Sequence, residues 1–173
     1  MGNKIIVCGG NGAGKSTLGK RLAQELGWKF MDIEDYYFPE KSADNKYATG
    51  RTETEVAALL LQDMKRYDNF VLASVRGNYS EEIVSLFTCV VVIEVPKEVR
   101  MDRIRTRSYR QFGDRILPGG DLYEQQEGFF SMVENRRSDY ATKWLETLEL
   151  PVIYVDGTQP VERNVELLKV KLN

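Results

Sequence analysis

Gly9, Gly10, Asn11, Gly12, Ala13, Gly14, Lys15, Ser16 and Thr17 stand in an order that suits phosphate chemistry. A glycine, four intervening positions and then Gly14-Lys15-Ser16 give the spacing at which backbone N–H groups wrap a polyphosphate. In that pattern the lysine reaches the β and γ oxygens, and the hydroxyl, here Ser16, ligates Mg²⁺. Glycines permit backbone angles that a Cβ forbids and let a phosphate lie against the main chain. The alternative is a chance glycine-rich turn, but the pattern sits between an apolar strand signal and an amphipathic helix, which is the context it requires.

Other residues of the right type lie further along. Asp32, Glu34 and Asp35 crowd three carboxylates into four positions, an arrangement that a cation or a substrate hydroxyl explains, against the alternative of an exposed acidic turn. Between Lys97 and Arg115 the cations concentrate, and Arg103 and Arg107, four apart, share one helical face on which two guanidinium forks can meet a phosphate. A solvated basic helix is the alternative. Arg51, just ahead of a helix start, and Arg76, in a turn after a strand, are candidate contacts to an acceptor, although Arg51 is as readily a solvated side chain. The chain has no histidine, which removes imidazole bases and the common zinc sets, so catalysis has to rest on carboxylates, Lys, Arg and a bound metal.

The elements that must position these groups follow from periodicity. Lys4-Ile5-Ile6-Val7-Cys8 reads as a strand, and Leu18, Leu22, Ala23 and Leu26 as a helix stopped by Gly27. Trp28-Lys29-Phe30-Met31 is a second strand that delivers the carboxylates to its C-terminal end, the ligand edge of an open parallel sheet. Thr52 and Glu55 form a capping box for a helix from about Glu53 to Tyr67. Phe70-Val71-Leu72-Ala73 is a short buried strand, Ser80 caps a helix through Leu86, and the β-branched run from Thr88 to Val95 belongs at the sheet centre. Pro96 opens the basic helix. Phe112-Gly113 and Pro118-Gly119-Gly120 mark a loop able to open and shut, taken as a lid over about residues 108–122. A long helix then carries Phe129, Met132, Val133, Arg136, Tyr140 and Trp144, before a fifth strand from Pro151 to Val155, a turn at Asp156-Gly157-Thr158-Gln159-Pro160 and a closing helix. Alternating strands and helices predict an α/β three-layer sandwich on a five-stranded parallel sheet.

The chain of 173 residues is expected to be a single domain, with an acceptor-side insertion over about residues 36–67. A net charge of −2 argues against nucleic acid and anionic membranes as partners. No run of apolar residues is long enough to span a bilayer. Cys8 and Cys89 lie in strand-like runs and read as reduced core residues, which with the absence of a leader pattern predicts a cytoplasmic protein. The oligomeric state is left open between monomer and weak dimer.

Over nearly its whole length the chain resembles the small P-loop kinases that include adenylate kinase, shikimate kinase and gluconate kinase. The resemblance rests on residues 9–17, on Asp32-Ile33-Glu34, on Met101-Asp102-Arg103-Ile104-Arg105-Thr106-Arg107 and on Val155-Asp156-Gly157-Thr158-Gln159-Pro160. It implies the P-loop nucleoside triphosphate hydrolase fold with strand order 2-3-1-4-5, and Mg²⁺-dependent transfer of the γ-phosphate of ATP to a small-molecule acceptor, a metabolite hydroxyl or a nucleoside or nucleotide. By position, Arg103 and Arg107 would clamp nucleotide phosphates from the lid, Arg136 on the following helix would stabilise the transferring group, and Gly157, Thr158, Gln159 and Pro160 would line the adenine. Lys15 would hold the β/γ-phosphates, Ser16 and Asp32 the metal, and Glu34 or Asp35 the acceptor oxygen. Where adenylate kinases carry Asp and then Gly-x-Pro-Arg, this chain has Ala73-Ser74-Val75-Arg76, and it lacks the Gly-Gly-Gly turn of shikimate kinases, so the resemblance names no acceptor. An ATP-binding sensor or switch is the competing reading. A GTPase is disfavoured, since Asn45-Lys46-Tyr47-Ala48 lacks the final acid of a guanine signature.

Overall fold

The strand β1 (Lys4–Cys8) alternates its side chains between two apolar layers, and this alternation organises the fold. Ile6 and Cys8 join a layer with Met31, Leu72, Val90 and Val92, while Ile5 and Val7 join the opposite one with Val71, Val91 and Ile93. Such two-sided burial is what a parallel sheet between helices requires. The strands β2 (Lys29–Asp32), β3 (Phe70–Ala73), β4 (Cys89–Glu94) and β5 (Val152–Asp156) complete an all-parallel sheet of order β2-β3-β1-β4-β5, as expected. The computed structural model describes residues 2–39 and 50–172. Residues 40–49, part of the expected acceptor-side insertion and the site of the incomplete guanine signature, lie outside them.

Helices cover both faces for reasons local to each. α1 (Lys15–Leu26) buries Leu18, Leu22 and Ala23 against Ile5 and Val7, and stops at Gly27 in the left-handed conformation. α7 (Val161–Leu172) lies on the same side through Val165 and Leu168. On the other face α3 (Glu53–Arg66) buries Val56, Leu60 and Met64, its start fixed by the Thr52/Glu55 capping box, and α4 (Glu81–Leu86) is capped by Ser80. Cys8 and Cys89 are buried and unbridged. Among the described residues no helix is long and apolar enough to cross a membrane.

Two elements differ from the sequence-based expectation. The basic helix α5 (Lys97–Phe112) runs into the expected lid, so residues 108–112 are its last turn, followed by a 3-10 turn at Gly113–Ile116. Ile116 tucks into a third apolar cluster with Met101, Ile104, Phe130 and Val133, which fixes this turn against the helices. The following helix α6 (Tyr123–Glu134) is shorter than expected and ends at Asn135. Polar turn formers explain the break: Asp139 takes both Arg137 guanidinium nitrogens, and its carbonyl accepts from the Thr142 and Lys143 amides. Tyr140 and Trp144 keep helical spacing across turns and a short 3-10 helix at Lys143–Leu145, with Trp144 packed 6.4 Å from the Phe87 ring. Arg136 therefore sits just past a helix end and not on a helix.

Candidate active site

The loop after β1 lies where the order of strands reverses, with β1 between β3 and β4, and crevices at such switch points receive ligands in open α/β sheets. Gly12 and Gly14 adopt φ of 80° and 96°, the left-handed region, and Gly14 caps the N-terminus of α1. A Cβ on Gly12 would also stand 2.5 Å from the Arg100 carbonyl oxygen. Lys15 folds back over the loop, its Nζ donating to the Gly10 carbonyl at 3.0 Å. Burial pushes its pKa down to about 8, while Glu34 and then Asp32 pull the other way, so at neutral pH it is a cation held ready for phosphate oxygens.

The carboxylates separate by role. Asp32 caps α2 (Ile33–Tyr37), its Oδ1 accepting from the Glu34 amide at 3.0 Å. Asp32 and Glu34 line a cavity of about 680 Å³ together with Lys15, Ser16, Arg103, Arg107 and Arg136. Asp35 points elsewhere, into a smaller cavity of about 480 Å³ with Lys20, Arg21 and Gln24 that Ser16, Thr17 and Asp32 also border. Among the described residues no group of three or more His, Cys, Asp or Glu could hold a metal alone. Ser16 and Asp32 supply two hard oxygen donors on the wall of both cavities, a set that suits Mg²⁺ when phosphate and water oxygens complete its shell.

Three arginines brace the loop from α5 and from beyond α6. Arg103 donates to the Gly157 carbonyl at 2.9 Å and reaches the Gly12 and Ala13 carbonyls at 3.4 and 3.5 Å, tying the phosphate loop to the turn after β5. Arg100 donates to the Val95 and Asn11 carbonyls. Arg136 donates to Asn11 Oδ1 at 2.8 Å and stacks 4.4 Å over the Tyr140 ring. Gly157 is wedged against Ile93 and Val95, and Asp156 holds the Thr158 amide and hydroxyl, which shapes the turn carrying Gln159 and Pro160. That turn does not line the large cavity and adjoins it only through Arg103.

The cavity lining also carries Tyr37, Phe38, Tyr79, Phe129, Met132 and Tyr140, together with Gln125 and Gln126. Arg76 borders the same cavity, but its guanidinium is committed to Glu53 at 2.7 Å and to Asn78 Oδ1 at 2.9 Å. Burial works against the Arg76 charge, and the bonds to Glu53 and Tyr140 outweigh it, so its pKa rises. Arg51 is not brought to the cavity; it donates to the Tyr36 carbonyl at 2.9 Å and so braces the end of α2. Sequence reasoning gave no role to the Asn11 side chain, Arg100, Glu53 or the two glutamines. Arg100, one turn ahead of Arg103, carried a signal in its spacing, whereas the glutamines carried none.

The fold and the loop define a nucleotide-binding protein of the small P-loop kinase type. The chain belongs to the AAA-domain family, whose model matches residues 5–128. It is similar to the uncharacterized protein YqaC of Bacillus subtilis, 26% identical over 174 residues covering 96% of this chain and 95% of the relative. It is also similar to an adenylate kinase isoenzyme 6 homolog of Caenorhabditis elegans, 26% identical over 171 residues covering 94% of this chain and 85% of the relative. A shorter stretch of 36 residues is 53% identical to a probable gluconokinase of Mus musculus, 21% of this chain and 20% of the relative. Among solved structures, a sugar kinase from Janibacter superposes with a TM-score of 0.59 at 18% identity, covering 99% of this chain and 95% of that one. A deoxyadenosine kinase from M. mycoides with bound dATP superposes at 0.57 and 16% identity, covering 98% of this chain and 99% of that one. These superpositions speak to the fold, and two of the three relatives carry kinase names.

Proposed function

We propose that the chain is an ATP-dependent phosphotransferase that moves the γ-phosphate to a hydroxyl or phosphate oxygen of a small acceptor. The observation that carries this reading is one cavity lined at once by Lys15, Ser16 and the loop, by Asp32 and Glu34, and by Arg103, Arg107 and Arg136. Lys15 and the loop amides bind the β and γ oxygens. Ser16 and Asp32 hold Mg²⁺, which supplies charge neutralisation at those oxygens. Glu34 orients the acceptor oxygen and takes its proton, while Asp35 faces the smaller cavity beside Lys20 and Arg21 and does not line the one in which transfer takes place. The acceptor oxygen forms its bond to phosphorus as the bond to the departing ADP oxygen breaks, and the three arginines balance the spreading charge. Arg103 supports the adenine-side turn at Gly157, Thr158, Gln159 and Pro160 as well. A cytoplasmic setting agrees with two buried, unbridged cysteines.

Acceptor-stimulated ADP release across a panel of small metabolites tests this. The expected result is ATP consumption that rises sharply with one acceptor and is lost in Lys15→Ala. Tight ATP binding with no acceptor-stimulated turnover would instead support a sensor or switch.

A further inference from the structure

We infer that the acceptor is an uncharged alcohol carrying a planar ring, a nucleoside, and not a sugar acid or a nucleoside monophosphate. The inference rests on the kinase reading above and concerns only the half of the cavity that faces the phosphate loop. Two observations carry it. Tyr37, Phe38 and Tyr79 line the cavity beside Arg76 and Glu53, flat and polarisable surfaces that suit a ring and offer little to a polyol. Tyr37 packs 6.1 Å from Phe38 and 6.4 Å from Tyr79, so these three rings form one connected surface and are not scattered singly.

Charge is the second observation. Of the two arginines on this side, Arg51 is turned onto the Tyr36 carbonyl, and Arg76 is neutralised by Glu53 at 2.7 Å. Its remaining bonds go to Asn78 and Tyr140, and its guanidinium stacks 5.0 Å from the Tyr79 ring. Among the described residues the cavity cations Lys15, Arg103 and Arg136 are held on the phosphate loop, while Glu53, paired with Arg76, lines the cavity beside Tyr79. An acceptor bearing its own carboxylate or phosphate would have to displace Glu53 from Arg76 and sit beside its like charge, whereas a neutral ring needs neither step. Transfer then forms the bond from the nucleoside hydroxyl oxygen to the γ-phosphorus, breaks the bond to ADP and leaves the hydroxyl proton on Glu34.

The test ranks kcat/KM for purine and pyrimidine nucleosides, their monophosphates, sugar acids and neutral polyols, in the wild type and in Glu53→Gln. The expected result is a nucleoside preferred over every anionic acceptor by at least about 10²-fold. Glu53→Gln, which leaves Arg76 uncompensated, should narrow that preference by about tenfold by raising turnover of the anionic acceptors. Turnover of a sugar acid, a monophosphate or a polyol without nucleosides overturns this inference and leaves the kinase reading standing. An unchanged ranking in Glu53→Gln also counts against it, because the pair would then not set acceptor charge. If no acceptor stimulates turnover, both readings fall.

Discussion

Residues 9–17 form one unbroken segment whose shape its own glycines set and whose edges Arg100, Arg103 and Arg136 clamp, whereas the rest of the cavity lining is assembled from α2, the start of α3, the turn after β3, α6 and the turns beyond it. The donor side presents backbone and cations, so any triphosphate meets the same groups. The acceptor side presents rings and one neutralised ion pair, so its preference depends on how several distant segments pack. Phosphate binding is thus a local property of this chain and acceptor choice a tertiary one, and substitutions on the two sides should divide accordingly.

The largest effect belongs to the donor side. Lys15→Ala should lower kcat/KM by about 10³-fold or more, since it removes a charge that acts on the reacting phosphate, and steady-state kinetics at neutral pH would show it. Arg136→Ala should lower kcat by about 10²-fold while equilibrium ATP binding stays close to that of the wild type; a loss of binding in place of turnover would move Arg136 to the ground state.

Asn11 links these groups, because its side-chain oxygen holds Arg136 at 2.8 Å and its carbonyl holds Arg100 at 3.1 Å. Losing a hydrogen bond to a charged group costs about 1.5–3 kcal/mol, so Asn11→Ala should reduce kcat by about tenfold or more, and the double variant with Arg136→Ala should be no slower than Arg136→Ala alone. Independent, multiplying losses would show that Asn11 acts on something other than Arg136.

The lowered pKa of Lys15 gives a pH signature of similar size. Burial makes the folded protein release this proton near pH 8, below the 10.5 of the ordinary side chain. Between those values the unfolded chain holds the extra proton, so stability against unfolding rises with pH, while ATP affinity, which needs the charged amine, falls by up to about tenfold per unit. Calorimetric titration from pH 7 to 10 should show that fall together with proton uptake on binding, and Lys15→Arg should abolish both.

The smallest effect lies at the start of α3. Thr52→Ala removes a capping box and should cost about 1 kcal/mol of stability, read as a lowered Tm, with ATP affinity unchanged.

The same division governs what could be read from the amino-acid sequence. Strand alternation, capping residues and glycine stops are local signals, and β1, α1, α3 and β3 follow from them, whereas the sheet order rests on the resemblance to P-loop kinases. α6 was overextended because Tyr140 and Trp144 keep helical spacing while Asn135, Ser138 and Asp139 turn the chain, and periodicity reports which residues are buried without reporting what conformation buries them. Arg51, ahead of a helix, and Arg76, in a turn after a strand, looked alike in sequence as candidate acceptor contacts, and only packing shows one spent on a carbonyl and the other on Glu53. The Asn11–Arg136 bond spans 125 positions and left no pattern to find.

The most direct measurement follows the label from γ-labelled ATP when the wild type and Lys15→Ala are incubated with Mg²⁺ and a mixture of small metabolites that includes nucleosides. The label should appear in an organic phosphate ester with the wild type and not with the variant. Label remaining in ATP, or released solely as inorganic phosphate, would contradict phosphoryl transfer to a small acceptor.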